Sequence, residues 1–215
     1  MVEEAAGGSA CQKRQRERLK LGLHTKKARQ RLQRAKRAAI ELRFANDFDE
    51  FEDAWLDFLL HAKGVYEQLK IACKSNPRAR QWFGGKSAER KSDPLLQYIY
   101  QARNFAEHEP EPGAMLEPGH LMIGKAAPGM SNSIRIDGNF ETGLSIRSLD
   151  GKPVLIESKP STVKLLPVTG RGGEVYQPPE IHLGHSLRET TPPVLADLSN
   201  LYLDSLLREA ESLKL

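Results

Sequence analysis

Apolar residues recur at helical spacing along several stretches of this chain. The strongest pattern runs from Phe44 to Cys73, in steps of three and four residues. Asp47 and Glu50 resemble a capping box near its start. We expect the stripe to be the buried face of a helix, with Cys73 a buried thiol, rather than a surface for stacking bases. Its members are Phe44, Phe48, Phe51, Trp55, Phe58, Ala62, Tyr66, Leu69 and Cys73.

Two further helices are predicted near the ends of the chain. Residues 12–43 carry good helix formers and a thin apolar stripe, which indicates a long, exposed helix, whereas residues 1–11 are expected to be disordered. Thr191-Pro192-Pro193 opens a final helix over 191–215. Its stripe is expected to return to the helical bundle or to mediate a dimer. That stripe comprises Val194, Leu195, Leu198, Leu201, Tyr202, Leu206, Ala210 and Leu213.

A shorter helix is predicted between Ser92 and Pro112. Asp93 can cap it, Pro94 suits its first position, and Pro110 prevents its continuation. One stripe faces a core and consists of Leu95, Tyr98, Ile99, Ala102, Phe105 and Ala106.

The same helix carries a second, polar stripe, formed by Gln97, Gln101, Asn104 and His108. Arg103 lies beside it, so a cation, an amide and an imidazole meet at one helix end. Such a set can bind and cleave a phosphodiester. The alternative is helix-end electrostatics, in which Arg103 and His108 interact with the last carbonyls and with Glu107, Glu109 and Glu111.

Arg103-Asn104-x-x-x-His108 resembles the R-x4-6-H signature of HEPN domains, over roughly residues 47 to 108. HEPN domains are all-α bundles, and many are metal-independent ribonucleases of toxin–antitoxin and other defence systems. The resemblance implies a site shared across a homodimer and products with 2′,3′-cyclic phosphate ends. His108 is then the expected general acid or base, Arg103 the phosphate ligand and Asn104 an orienting residue. No metal and no cofactor are expected.

The segment 76–92 precedes the motif and is predicted to hold a turn and a short helix broken by Gly84-Gly85. Trp82 and Phe83 lie among its charges, either as RNA contacts or as a plug for the end of the bundle. Its basic residues are the candidate nucleic-acid contacts, namely Arg78, Arg80, Lys86, Arg90 and Lys91.

Between 113 and 190 the pattern changes to short β-type segments, and Asp150-Gly151 is a hairpin signal. We therefore predict an α+β chain: a helical region at 12–112, a small antiparallel β insertion at 113–190, and the last helix at 191–215. His182, His185 and His120 are considered as metal ligands, but surface-loop histidines are the favoured interpretation. The expected strands are 121–123, 133–136, 144–147, 153–157 and 162–166.

Charge is distributed unevenly along the chain. Residues 12–37 hold twelve Lys or Arg and one acid, a net of +11, whereas the whole chain has a net charge of +4. An acidic block follows over 47–57. The basic segment is expected either to contact RNA phosphates, to pair with that block, or to remain solvated.

Composition narrows the class of protein. The 215 residues include two cysteines, too few for a disulfide framework, and no apolar run suits a signal peptide or a membrane span, so a cytoplasmic protein is expected. The motifs of serine hydrolases, dinucleotide-binding enzymes and zinc proteases are absent from the sequence. The leading hypothesis is a ribonuclease that acts on RNA as a homodimer, with an antitoxin or another protein as a further partner. The alternative is a non-catalytic helical module that binds nucleic acid or a partner protein.

Overall fold

The computed structural model of the chain describes residues 4–108, 112–125, 133–139 and 143–213. These residues form an α+β protein with five helices and ten short strands. The helices are α1 (Glu4–Phe44), α2 (Phe48–Cys73), α3 (Pro77–Ser92), α4 (Pro94–His108) and α5 (Pro192–Ser212). The strands are β1 (Ala114–Glu117), β2 (His120–Lys125), β3 (Ile134–Asn139), β4 (Gly143–Ser148), β5 (Val154–Lys159), β6 (Thr162–Leu165), β7 (Val168–Thr169), β8 (Val175–Tyr176), β9 (Ile181–His182) and β10 (His185–Ser186).

The chain divides into two units. The larger one, called the helical unit, comprises Met1–Met115 and Val163–Leu215, and the smaller one, called the β unit, is Leu116–Thr162. The boundary falls within β1 and β6, which pair with each other.

The helical unit is built on an antiparallel pair of helices, α1 and α2. Buried residues of α1 recur in steps of four and three, a spacing that keeps one stripe facing the partner helix. The α2 stripe is buried as predicted, and the Cys73 side chain is inside, where burial raises the pKa of its thiol to about 11. There are two exceptions: Phe48 is only partly buried, and Phe44 is 72% exposed because it ends α1 before α2 begins. The α1 stripe is Ala28, Leu32, Ala35, Ala39 and Leu42.

Ion pairs spaced by seven residues join α5 to α1 in antiparallel orientation. Arg29 contacts Glu211 at 2.5 Å, Lys36 contacts Asp204 at 3.1 Å, and Arg43 pairs with Asp197. Part of the basic N-terminal region therefore pairs with acids of α5, and not with the acidic block at 47–57 suggested by the sequence. Leu201 of the predicted α5 stripe is exposed instead of buried. Leu203 and Leu207, which the prediction did not include, are buried.

Two predictions about helix limits were wrong. The α1 helix begins at Glu4, within the stretch expected to be disordered. Extending a helix that is already formed costs much less than nucleating one, so the low helix propensity of Gly7 and Gly8 does not end it. The α3 helix continues through Gly84-Gly85, each glycine costing only about 1 kcal/mol relative to alanine.

Asn76 caps α3, accepting hydrogen bonds from the amides of Arg78 (2.9 Å) and Ala79 (3.2 Å). Trp82 and Phe83 pack against the core, which confirms the plug interpretation.

Helix α4 has the predicted limits and the predicted cap. The Asp93 carboxylate accepts a hydrogen bond from the amide of Leu96 at 2.8 Å. The apolar stripe is buried except for Ala106, which is exposed on the last turn. Pro110 lies outside the described residues.

The strands form separate two-stranded pairs rather than the single small sheet that the sequence suggested. In the β unit, β2 pairs with β5 from His120↔Lys159 to Lys125↔Val154, and β3 pairs with β4 from Ile134↔Ser148 to Asn139↔Gly143. Asp150-Gly151 therefore does not close a hairpin between β4 and β5, and this prediction was wrong.

Asp150 instead organises a local turn. Its carboxylate accepts hydrogen bonds from the amide of Ser133 at 3.1 Å and the hydroxyl of Ser148 at 3.0 Å. These bonds, with those from Lys152, lower the pKa of Asp150 to about 2, against the opposing effect of desolvation. The Asp150-Gly151 signal therefore marks a local turn that is held by hydrogen bonds to the Asp150 carboxylate, and not a hairpin.

The predicted β insertion at 113–190 is broader than the observed β unit. Strands β7 to β10 belong to the helical unit because they are fastened to α4. The Tyr98 hydroxyl donates to the carbonyl of Leu166 at 2.8 Å, and Asp93 accepts from the amide of Leu183 at 2.6 Å and contacts His182 Nδ1 at 3.1 Å. His182 is nearly buried, so it is not the surface-loop histidine that was expected. Among the described residues, no helix is both long and apolar enough to span a membrane.

Candidate functional site

The polar stripe of α4 contacts α2 near Lys63. Since the opposite stripe of α4 is buried in the core, Gln101 and Asn104 are left at the edge of the α2–α4 contact. Lys63 Nζ donates to Asn104 Oδ1 at 2.8 Å, and Asn104 Nδ2 donates to Gln101 Oε1 at 3.3 Å. The Asn104 amide is therefore held in one orientation by two neighbours.

Arg103 lies on the neighbouring face of α4 and forms an ion pair with Glu107, one turn further along the helix. Its side chain is only 17% exposed. Burial lowers the pKa of Arg103, and Arg171 lowers it further, while Tyr100 and Glu67 act in the opposite direction. The guanidinium remains a permanent cation at neutral pH.

His108 ends α4 and is exposed, in contact with Arg171 at 2.5 Å between Nε2 and a guanidinium nitrogen. Arginine has no acceptor, so in a hydrogen bond between these two groups the guanidinium donates and Nε2 accepts. Arg171 lies in the turn between β7 and β8. The turn is closed by hydrogen bonds from Gly170 N to Glu174 O at 2.8 Å and from Gly173 N to Gly170 O at 2.9 Å.

Gly173 has a φ of +86°, in the left-handed region that glycine adopts without strain. The turn therefore depends on this glycine to present Arg171 at the end of α4.

The two motif residues, Arg103 and His108, do not contact each other among the described side chains. Each has its own partner, Glu107 for the first and Arg171 for the second. Arg171 connects them electrostatically, because it contacts His108 directly and its charge acts on Arg103.

The charge of Lys63 is acted on by the charges of three arginines, and we call these four residues the cationic cluster: Lys63, Arg90, Arg103 and Arg171. Arg90 lies over the Tyr100 ring with Cζ 3.7 Å from the centroid, and Lys63 Nζ is 5.3 Å from it. Burial lowers the pKa of Lys63, and the three arginines lower it further, while Glu67 raises it. Like charges from α2, α3, α4 and the β7–β8 turn are thus concentrated at one place.

The candidate nucleic-acid contacts of α3 are divided among three environments. Arg78, Arg80 and Lys91 are exposed. Lys86 contacts Glu89 at 3.2 Å and Glu209 at 3.0 Å, so it is already paired. Arg90 alone of the five belongs to the cationic cluster.

Sequence reasoning missed Lys63 and Arg171. Lys63 is hidden among the apolar residues of α2, one position after Ala62 of the core stripe. Arg171 lies 63 residues beyond His108, and its one signal is a cation flanked by glycines in a short turn between β-type segments. Neither could be assigned to the motif without the tertiary contacts.

Two further observations bear on the location of a functional site. The β unit has a groove of about 580 Å³, lined by Leu121, Leu144, Ile146 and Ile156 together with His120 and Lys159. Among the described residues, no group of three or more His, Cys, Asp or Glu side chains is arranged to hold a metal ion. The cationic cluster is therefore the candidate site in the described part of the helical unit.

Comparison of the chain with family models, with curated proteins and with solved structures found no match. The side chains around Tyr100 and His108 are the basis for a functional assignment.

Proposed function

We propose that this protein is a HEPN-like, metal-independent ribonuclease, of the kind used as toxins or defence proteins, which acts in the cytoplasm. The observation that supports it best is the exposed imidazole of His108, with Nε2 beside the guanidinium of Arg171, a member of the cationic cluster. A neutral imidazole can take up a proton, and adjacent cations favour the approach of a phosphodiester.

Cleavage in this proposal proceeds within the RNA strand itself. The imidazole of His108 removes the proton from a ribose 2′-OH, the 2′ oxygen attacks phosphorus, and the bond to the 5′ oxygen breaks. That oxygen takes up a proton, so the products are a 2′,3′-cyclic phosphate and a 5′-hydroxyl. Arg103 stabilises the charge that develops on the phosphoryl oxygens, and Asn104 orients the phosphate.

Both catalytic groups must exchange partners when substrate binds. Arg171 contacts the His108 Nε2 that would act as base, and Glu107 holds Arg103. A phosphate is a strong acceptor for guanidinium groups, so its arrival draws both arginines toward it and leaves Nε2 free. The resemblance to HEPN domains adds a homodimer, in which a second copy supplies the group that protonates the leaving oxygen.

A second candidate function is a non-catalytic module that binds nucleic acid or a partner protein. The ion pair of Arg103 with Glu107 and the contact of His108 with Arg171 favour it, because both motif residues are engaged in separate interactions. In this alternative they stabilise the end of α4 and the β7–β8 turn.

Cleavage of end-labelled, structured RNA in EDTA separates the two functions. The wild type is compared with Arg103→Ala and His108→Ala, and with two matched controls. His185→Ala removes an exposed histidine of β10, and Arg208→Gln removes an arginine of α5 whose side chain is 76% exposed. Circular dichroism verifies that each variant is folded.

The ribonuclease proposal predicts cutting by the wild type and both controls, loss in Arg103→Ala and His108→Ala, and cyclic-phosphate ends. Absence of cutting by the folded wild type across several RNAs favours the binding module. Equal cutting by His108→Ala contradicts the assigned base.

A further inference from the structure

We propose that Lys63 and Arg171, which lie outside the R-x4-6-H motif, complete with Arg103 a binding site for a backbone phosphate of single-stranded nucleic acid. The inference rests on the proposed function for its choice of ligand. It assigns two residues, from α2 and from the β7–β8 turn, that the sequence motif does not contain.

The first support is the placement of the three cations. Lys63 is fixed by its 2.8 Å hydrogen bond to Asn104, the residue next to Arg103. Arg171 reaches the end of the same helix, at 2.5 Å from His108. Three donors from three separate elements therefore lie along the last two turns of α4, where Arg103, Asn104 and His108 stand, and their charges act on one another. An ammonium with two guanidinium groups is a suitable donor set for a phosphate.

The second support is the incomplete neutralisation of these charges. With Arg90 the cluster has four cations. Glu67 acts on Lys63 and Arg103, Glu107 pairs with Arg103, and the Glu174 carboxylate lies beside Gly172 in the turn that carries Arg171. Burial is the largest cause of the lowered pKa of Lys63, and repulsion by Arg103, Arg171 and Arg90 lowers it further. A bound anion reduces this repulsion, so part of the binding free energy comes from charges that the fold has already brought together.

The third support concerns the form of the nucleic acid. The exposed His108 marks where a reacting ribose would lie, and in-line attack by its 2′-OH requires a strand that is free to leave duplex geometry. The face of Tyr100 is occupied by Arg90 at 3.7 Å, which leaves phosphate contacts as the main means of recognition. We therefore expect binding that depends strongly on salt and weakly on base sequence.

A DNA probe tests the site without cleavage, because it lacks the 2′-OH. Binding of a short fluorescein-labelled oligodeoxythymidylate is followed by anisotropy at several salt concentrations, for the wild type, Arg171→Gln, Lys63→Gln and the control Arg208→Gln. We expect each of the first two variants to weaken binding about tenfold and to reduce the slope of log K against log salt by roughly 0.7. The control is expected to match the wild type.

Inorganic phosphate serves as competitor, at a concentration equal to the total phosphate of the oligodeoxythymidylate. Little displacement of the probe is expected, and full displacement would overturn the nucleic-acid assignment in favour of a site for free phosphate. The inference is also overturned if the folded wild type fails to bind the probe, or if Arg171→Gln and Lys63→Gln bind as tightly as Arg208→Gln.

The same variants separate this inference from the ribonuclease proposal. Binding that depends on Arg171, without RNA cleavage by the wild type, supports the phosphate site and contradicts the enzyme. Cleavage with binding that is independent of Arg171 supports the enzyme and contradicts the phosphate site.

Discussion

Glu107 competes with any substrate for Arg103. Its carboxylate pairs with the guanidinium across one turn of α4, and the Arg103 side chain is otherwise largely enclosed. The Glu107 side chain is 42% exposed, so solvent screens the pair, and a phosphate with several cationic neighbours can displace it. Glu107 therefore weakens binding at this site without preventing it.

Glu107→Gln tests this competition. The substitution removes the negative charge and leaves the helix intact, so we expect tighter binding of the oligodeoxythymidylate probe and faster RNA cleavage, each by about two- to threefold. Glu211→Gln, which removes the partner of Arg29 on α5, is the matched control. Weaker binding by Glu107→Gln than by the control would contradict the competition, since it would assign Glu107 a supporting role.

His61 gives the α1–α2 contact a pH dependence. It is 9% exposed, and burial lowers its pKa, as do the charges of Arg31 and Arg34, while Asp57 acts in the opposite direction. Because the folded protein disfavours the protonated ring, the unfolded chain binds more protons as the pH falls below 6.5, the ordinary pKa of a histidine. Stability is therefore expected to decrease from pH 7.5 to pH 5.

The measurement is urea unfolding of the wild type and His61→Gln at several pH values in that range. The wild type should lose more of its free energy of unfolding on acidification than the variant does. Parallel losses in the two proteins would show that other groups cause the pH dependence.

At the residue scale, the sequence identified the members of the motif but not their partners. Arg103, Asn104 and His108 are on the predicted helix, at its predicted end. Their contacts with Lys63 and Arg171 join positions 41 and 63 residues apart, and such pairings depend on how the elements pack. The local alternative, Arg103 with Glu107, could be foreseen because residues four apart face each other on a helix.

At the scale of elements, the ladder of ion pairs sets the alignment of α5 on α1. Lys36 and Asp204 form its central pair at 3.1 Å, with side chains 47% and 20% exposed. The hydrogen bond from Lys36 is the largest cause of the lowered pKa of Asp204. The stability from this pair is therefore present above the unfolded pKa of about 3.9 and is lost as the pH falls through the lower folded pKa.

A double-mutant cycle with Lys36→Ala and Asp204→Ala measures this pair. We expect a coupling free energy of about 0.2–1 kcal/mol at neutral pH in urea unfolding, reduced by high salt because the pair is partly solvated. A coupling near zero at low salt would contradict a role for the ladder in aligning α5.

Helix positions were predictable where the apolar stripe was long, as in α2, or where both ends carried signals, as in α4. The glycines of α3 misled the interpretation because tertiary packing of Trp82 and Phe83 outweighs the weak propensity of two residues. The positions of β2 to β6 were predicted, but β1 and β7 to β10 were not, and neither was the pairing of the strands. β2 pairs with β5, and the β3–β4 pair lies between them in the sequence. An Asp-Gly turn signal does not indicate which strands pair.

At the scale of the whole molecule, every residue of the candidate site belongs to the helical unit. Residues 63, 90, 103, 108 and 171 all lie outside Leu116–Thr162. The sequence placed the β insertion at 113–190 because β7 to β10 also lack helical periodicity. Their attachment to α4 through Asp93 and Tyr98 could be known only from the structure.

Replacing the β unit by a short Gly-Ser linker between Met115 and Val163 tests this division. The two ends lie in the paired strands β1 and β6, so a short linker can join them. We expect the helical circular dichroism signal and the binding of the oligodeoxythymidylate probe to be retained within about twofold. A folded variant that no longer binds the probe would assign part of the site to the β unit.

The most direct test of the account is the initial rate of RNA cleavage in EDTA, measured side by side for the wild type and His108→Ala. General acid–base catalysis contributes typically 10²–10⁴-fold, so we predict a rate at least about a hundredfold lower in the folded variant. Equal rates for the two proteins, or no cleavage by the wild type, would contradict the ribonuclease assignment.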